Sequence, residues 1–435
     1  MHNHSSIRAA FGLVTVLAFL AGPANALDLS TTLRDVAAGN PDVVARAAMV
    51  EAARWRAEGT GRWSSPVLEL GLVNVPTSGR LDEDPMTMRM VGLSQRVALS
   101  GAPGLARRAA RSHVSADSAA QEQALSAVFA LALEHYAEAY YARQRHDLAV
   151  AHASAIDRLV ESARARYQSG RGRLDDVLQA ESERARLIAD RLTFQAEART
   201  ARVRLDALRG VATDWSDTLA TPNLPAPGDS PEPWLASVGP HHPRLRQLDA
   251  RMQGYRFGAT SARRSIWPDL ELRGSYGFRE PIVGIHSLQP QDDLFSVGVG
   301  LMLPLYGAGR EGAEGREMDA MARAIAAEIR AAQIELRRDI LEAWEAASAG
   351  ERVVHLLADT VLVSRQQAVE AAWASYGTAH IDLWRAMEST HAMYREAVEL
   401  TRARETLMRS KARLVAASGR VDGLGLEPPK EGEPR

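Results

Sequence analysis

The placement of proline constrains this chain more than any other feature. Twenty prolines are present, yet none falls between Pro103 and Pro222 or between Pro304 and Pro428. Proline lacks a backbone donor and clashes with the preceding turn, so helix interiors expel it. Two proline-free intervals of about 120 residues, both rich in Ala, Leu, Arg, Glu and Gln, therefore read as long helix. In the first, Leu125, Val128, Phe129, Ala132, Tyr136 and Tyr140 recur at helical spacing, and the stripe resumes at Leu148, Ile156, Leu159 and Ala163. The pattern breaks at Tyr167-Gln168-Ser169-Gly170 and restarts from Leu174 to about Leu208. An unequal hairpin is expected: a helix over 105–167, roughly 95 Å long, and a return helix of roughly 54 Å. One more helix, expected over residues 31–59, would supply roughly 45 Å, so that the two shorter helices together match the long one in a rod of about 100 Å.

The plan occurs twice. Asn40-Pro41 corresponds to His242-Pro243, Pro66 to Pro268, and Leu68-Glu69-Leu70 to Leu270-Glu271-Leu272, each 202 positions on. Val91-Gly92-Leu93 parallels Val299-Gly300-Leu301 at 208, and Tyr167 parallels Tyr376 at 209. Residues 222–243 carry seven prolines, which reads as an extended connector. The expected organisation is a first repeat over 27–213, a connector over 214–242, a second repeat over 243–420 and a flexible tail over 421–435. The His241-His242 pair in the connector is expected to be solvated.

Each repeat also holds two runs of period-two alternation. Leu68, Leu70 and Leu72 alternate with Glu69 and Gly71, and the partner run extends from about Met86 to Leu99. In the second repeat Leu270, Leu272, Tyr276 and Phe278 oppose Glu271, Arg273 and Ser275, while Phe295, Val297, Val299, Leu301 and Leu303 oppose Ser296, Gly298 and Gly300. Four strands of about ten residues cannot close a barrel alone, and unpaired edges are a liability. Alternating strands of this length suit a transmembrane barrel closed by oligomerisation, and equally a soluble antiparallel sheet packed on helices. Under the barrel reading Glu69, Glu271 and Arg273 line the lumen. Met86, Met88 and Met90 alternate on a strand and would face the same side; thioethers favour soft ions such as Cu(I), but methionine also fills irregular gaps.

Composition removes whole classes of function. No cysteine is present, which excludes disulfides, thiolate metal sites, cysteine nucleophiles and the lipid-modified cysteine of many envelope proteins. A net charge of −2 gives no footprint for nucleic acid. Arg8, the apolar run from Ala9 to Ala21 and Ala24-Asn25-Ala26 read as a cleaved export signal over 1–26, and no later stretch is apolar enough for a spanning helix. No phosphate-binding Gly-rich loop and no Gly-x-Ser-x-Gly elbow occur. Glu388-Ser389-Thr390-His391 has the Glu-x-x-His spacing of carboxylate-bridged metal sites, but no second copy accompanies it. Neither an enzyme activity nor a cofactor is expected.

Strand hairpin, long helix, glycine turn and shorter helix, all duplicated, resemble the TolC family of outer-membrane efflux ducts over about 28–420. Tyr167-Gln168-Ser169-Gly170 followed by Leu174-Asp175-Asp176-Val177-Leu178 is similar to the family signature at the hairpin tip. Gln95-Arg96-Val97-Ala98-Leu99-Ser100-Gly101 and Leu303-Pro304-Leu305-Tyr306-Gly307 are similar to its strand-to-helix passages. The fold class this implies is mainly α with a small β part, three chains closing one outer-membrane β-barrel continued as a periplasmic α-helical barrel. The implied role is a passive exit duct of a tripartite efflux pump, exporting metal ions or small toxic compounds, with outer-membrane lipid around the barrel. Its implied partners are a periplasmic adaptor protein and an inner-membrane pump. Length and the second tip are more similar to the heavy-metal-resistance branch than to the multidrug one. The rival readings are the adaptor of such systems, which should carry one hairpin where two occur here, a multidrug or type I secretion duct, and a soluble helical enzyme, which the missing motifs argue against.

The resemblance also assigns tip residues. Gly170 and Asp176 belong to the first tip, and Gly377, Asp382, Arg385 and Glu388 to the second. Acidic residues near the second tip ring the periplasmic entrance in the family, attract cations and help hold it shut. This chain departs from that pattern: Tyr376-Gly377-Thr378-Ala379 has alanine where glycine is usual, and Trp384-Arg385-Ala386-Met387 replaces Asp-Val-Leu. Arg385 is expected to pair with a nearby carboxylate such as Asp382, leaving Glu388 or Asp382 as the gate acid.

Overall fold

The computed structural model describes residues 26–213, 218–283, 288–305, 307–378 and 380–419. The expected export signal up to Asn25 and the tail over 421–435 lie outside the described residues.

The chain opens with β1 (Ala26–Leu27), α1 (Leu29–Gly39) and α2 (Pro41–Gly59). Next come β2 (Val67–Val73), β3 (Met88–Ala98), α3 (Ala102–Gln168), α4 (Leu174–Arg209) and β4 (Thr218–Leu219). A single turn, α5 (Glu232–Leu235), precedes α6 (Pro243–Arg264), β5 (Asp269–Arg279), β6 (Ile282–Val283), β7 (Leu288–Gln289) and β8 (Leu294–Met302). The rest is helical: α7 (Gly307–His355), a π-helical stretch over Leu356–Val361, α8 (Leu362–Gly377) and α9 (Leu383–Ser418). At 1.5 Å per residue the 67 residues of α3 span about 100 Å. Helices α4 and α9 have the same 36 residues, and each ends on a left-handed glycine, Gly210 or Gly419.

The helix expected over 31–59 is two helices. Asn40 interrupts it, because its side chain accepts from the backbone N–H groups of Asp42 and Val43 while Pro41 occupies the first helical position. The Asn40 amide also donates to the Leu208 carbonyl at 3.1 Å. Gly39 and Gly210 let these segments touch: a Cβ on Gly39 would lie 2.3 Å from the Arg209 carbonyl oxygen, and one on Gly210 would lie 2.5 Å from that of Gly39.

The connector differs more from expectation. Leu224 is buried there, and Trp234 donates its indole N–H to the Pro227 carbonyl at 2.8 Å, so the segment packs rather than floats. His241 is exposed as expected, but His242 is buried. His242 repeats the role of Asn40: its Nδ1 accepts from the Arg244 backbone N–H at 3.2 Å and caps α6, while Nε2 meets the Ala417 carbonyl at 3.3 Å.

The helices lie side by side in one layer. α3 packs against α2 and α4 on one flank and against α6 and α9 on the other, and α7 in turn packs on α6 and α9. Ile156, Val160, Leu187, Phe194, Met387 and Val398 fill the core toward the hairpin tips. Leu33, Val36, Phe129, Tyr136 and Leu205 fill it near the connector. Tyr136 is fully buried, with its hydroxyl 2.7 Å from the Leu27 carbonyl and 2.8 Å from that of Ala220. Buried charges also tie helices together. Arg145 on α3 reaches Glu405 on α9 at 2.6 Å and Glu197 on α4 at 3.0 Å. Lys411 on α9 reaches Glu351 on α7 at 2.7 Å.

The principal sheet is antiparallel throughout, in the order β2-β3-β5-β8. Each repeat supplies one hairpin, and β3 pairs with β5 across the repeats. Among the described residues two edges stay unpaired, β2 from the first repeat and β8 from the second. The helical layer likewise ends on two flanks, α2 and α4 in the first repeat and α7 and α8 in the second.

Candidate functional site

The sheet register sorts side chains into two contrasting faces. Leu70 lies opposite Val91, Val91 opposite Tyr276, and Tyr276 opposite Phe295. Neighbouring rows add Leu68 with Leu93, Leu272 with Val299, and Leu270 with Leu301. Most of this apolar face is exposed within the single chain; Leu70 is 71% and Val297 72% exposed. Burying such a surface is worth about 25 cal/mol per Å², and a contiguous apolar band of this size marks a surface made for a lipid or protein contact.

The opposite face is polar and small. Glu69 faces Gly92, Gly92 faces Ser275, and Ser275 faces Ser296. The three residues expected to line a lumen come together here. Arg273 Nη2 lies 3.2 Å from Glu271 Oε1, and Arg273 Nε lies 3.9 Å from Glu69 Oε1. Arg96 reaches Asp269 at 2.8 Å on the same side. Met88 and Met90 share this face, their register partners being Arg279 and Gly277. Met88 packs its sulfur against Gly277, whereas Met86 precedes β3 and is exposed.

At the far end, the first tip turns on Gly170. α3 ends at Gln168, Gly170 adopts φ +71°, and the Arg171 N–H donates back to the Arg166 carbonyl at 2.9 Å. No atom lies within 4 Å of a Cβ placed on Gly170, so backbone geometry rather than space requires glycine. Gly377 closes α8 without positive φ and is equally open. Ala379 lies outside the described residues. The two tips meet where the Arg166 guanidinium sits 5.3 Å from the Tyr376 ring centre.

The tip carboxylates divide their tasks. Asp382 is the N-cap of α9 and accepts the Arg385 backbone N–H at 3.0 Å. The expected side-chain pair between them is therefore a backbone cap, because a carboxylate at that position satisfies an otherwise unpaired helix donor. Glu388 pairs with Arg395 at 3.2 Å. Arg173 donates to Asp175 at 2.8 Å, and this bond holds the Asp175 carboxyl below its ordinary range. Asp176 is half-buried in the first turn of α4. His391, three residues after Glu388, contacts Glu183 of α4 instead. No spacing pattern could have joined residues so far apart in sequence.

Residues 32–211 match the family model for the outer membrane efflux protein. The outer membrane efflux protein BepC of Brucella suis biovar 1 is 24% identical over 299 residues. The first repeat of the chain is therefore similar to outer membrane efflux proteins. The BepC match covers 68% of this chain and 64% of BepC, so less than two thirds of that relative's length is shared. Two solved structures have the same fold as this chain. VceC, an outer membrane protein of Vibrio cholerae, is 16% identical with a TM-score of 0.72, covering 90% of this chain and 96% of VceC. CusC, whose structures concern transmembrane channel formation, is 15% identical with a TM-score of 0.71, covering 90% and 91%. The division of the sheet into an apolar and a polar face is the feature with functional content.

Proposed function

We propose that this chain is the outer-membrane exit duct of a tripartite efflux pump, with three copies forming one conduit. The observation that carries the reading is that sheet and helical layer are open at the same two flanks. β8, α7 and α8 of one copy meet β2, α2 and α4 of the next, which pairs every strand edge in a closed ring. Exposed apolar side chains on both helical flanks support this, among them Ile334 and Leu356 on one and Val44 and Leu192 on the other. The band through Leu70, Leu93 and Val297 then faces outer-membrane lipid, and Glu69, Glu271 and Arg273 face the lumen. Strands of 9 to 11 residues in β3, β5 and β8 suit a tilted membrane crossing. The helices extend into the periplasm, where the tips meet an adaptor protein joined to an inner-membrane pump.

Transport through such a wall is passive, and the chain performs no catalysis of its own. Gly170 and Gly377 shape the tips, and Asp176, Asp382 and Glu388 supply carboxylates around the entrance with Arg385 beside them. The cargo is a metal ion or a small toxic compound. Two hairpins, each with its own strand pair, argue against an adaptor. Fractionation and single-channel recording test the reading together. An outer-membrane trimer that conducts in planar bilayers is expected, and a soluble, non-conducting monomer refutes it.

A further inference from the structure

Three helices from the two repeats bring together His152 of α3, Glu183 of α4 and His391 of α9. One ligand atom from each lies within 4.8 Å of the others. His391 Nδ1 and Glu183 Oε1 are in contact. His152 is 8% exposed, and its Nε2 is buried with no hydrogen-bond partner among the described residues. Burying an imidazole nitrogen in that way is unfavourable unless something else satisfies it. An ion pair between Glu183 and His391 accounts for two of the three residues and leaves the third unexplained.

The surroundings orient the cluster. The Tyr394 ring stacks on His152 with centroids 4.6 Å apart and planes 6° from parallel. The Tyr394 hydroxyl donates to Asp190 at 3.1 Å, so the plane is fixed from α4 as well.

We propose that His152, Glu183 and His391 form a zinc site that braces the first helical hairpin against α9. Two imidazoles and one carboxylate are a donor set for a borderline divalent ion. Ca²⁺ and Mg²⁺ prefer all-oxygen sites, and soft Cu(I) prefers sulfur, which this cluster lacks. Tetrahedral ligands at roughly 2.1 Å from zinc stand roughly 3.4 Å from one another, so binding requires the Glu183–His391 pair to open and all three ligand atoms to settle at that spacing, with water as the fourth ligand. Sequence positions place the site inward of both tips: His152 precedes the end of α3 at Gln168, Glu183 follows the start of α4 at Leu174, and His391 follows the start of α9 at Leu383. At 1.5 Å per residue this is roughly 12 to 24 Å from the turns. An ion there locks together the elements on which tip spacing depends. The proposal rests on these side chains and not on the exit-duct reading.

Full-length protein purified without a histidine tag, stripped with chelator and titrated with ZnCl₂ by calorimetry tests it. One zinc per chain is expected, together with a higher temperature of thermal unfolding. Glu183→Gln and His391→Gln should each weaken binding at least about 100-fold, since losing even an outer ligand partner costs about 10–100-fold. His380→Gln, at an exposed tip histidine, should leave binding unchanged. X-ray absorption of the zinc-loaded wild type should report two imidazoles, a readout independent of variant folding. Absence of stoichiometric binding, binding that survives both substitutions, or a zinc shell without imidazole overturns the proposal.

Discussion

Replacing Leu93 with Arg separates a membrane barrel from a soluble sheet by magnitude. Leu93 sits at the centre of β3, opposite Leu68 and Gly274, and is 54% exposed in the single chain. If that face met water, an exposed substitution would shift stability by no more than about 0.5 kcal/mol. If it meets the hydrocarbon midplane, Arg costs about 2–4 kcal/mol, roughly a 30- to 1,000-fold loss in the insertion equilibrium of each chain. The cost recurs in every copy around the ring. Ser296 lies on the opposite face and is exposed, so Ser296→Arg adds a charge where water is expected and should be nearly neutral. The assay is the yield of heat-dissociable trimer in the outer-membrane fraction, with both variants expressed at equal level. Leu93→Arg should lose most of it and Ser296→Arg should keep it. Equal yields from the two variants would refute the assignment of the faces.

Gly210→Ala forces a Cβ against the Gly39 carbonyl and strains a positive φ, so thermal unfolding should reveal a loss of about 2 kcal/mol or more. Arg145→Met removes a charge shared by Glu405 and Glu197, but Glu197 is half exposed and Glu405 keeps Arg409 at 3.1 Å. That lowers the usual buried-pair cost of 3–5 kcal/mol to about 2–3, measurable as a drop in trimer dissociation temperature. Burial holds the His242 pKa below its ordinary value, so the unfolded chain binds a proton more readily than the folded one. Stability from this residue is therefore present above about pH 6.5 and lost as pH falls below it. His242→Asn retains a capping side chain and should flatten the melting profile between neutral and acidic buffer. Asp382→Ala should cost α9 about 0.5–2 kcal/mol by removing its cap and weaken cation block of conductance; unchanged block removes Asp382 from the entrance.

Much of this architecture is legible in the sequence because its signals are long. Proline exclusion over whole intervals, a period near 3.6 from Leu125 to Ala163 and the alternation at Leu270–Phe278 each repeat a preference many times. The strand faces follow from period two alone, which puts Glu69, Glu271 and Arg273 on one face; their meeting needs the register of β2, β3 and β5 as well. Single polar atoms carry no such redundancy. Asn40 splits a helix that the apolar pattern carries through, because one side-chain oxygen satisfies two backbone donors. His242 looks solvated beside His241 and proline, yet it is buried by contact with Ala417, 175 positions away. Glu388 and His391 share a familiar spacing, but their partners, Arg395 and Glu183, are chosen by the packing of α9 on its neighbours. The meeting of residues 152, 183 and 391 depends on three helices lying side by side, which no local pattern encodes.

The π-helical stretch at Leu356–Val361 has a consequence for how the two repeats diverge. Counted from Gly101 to Tyr167 and from Gly307 to Tyr376, the second long helix is three residues longer than the first. In a regular helix each added residue swings everything beyond it by about 100°, which would turn the tip away from its partner. A widened turn accommodates an extra residue as a local bulge, and the residues it spans press on no buried core. The second repeat thus carries its own expansion joint, while Tyr376 still meets Arg166. Deleting one residue within 356–361 should restore an ordinary helix there and leave that meeting intact.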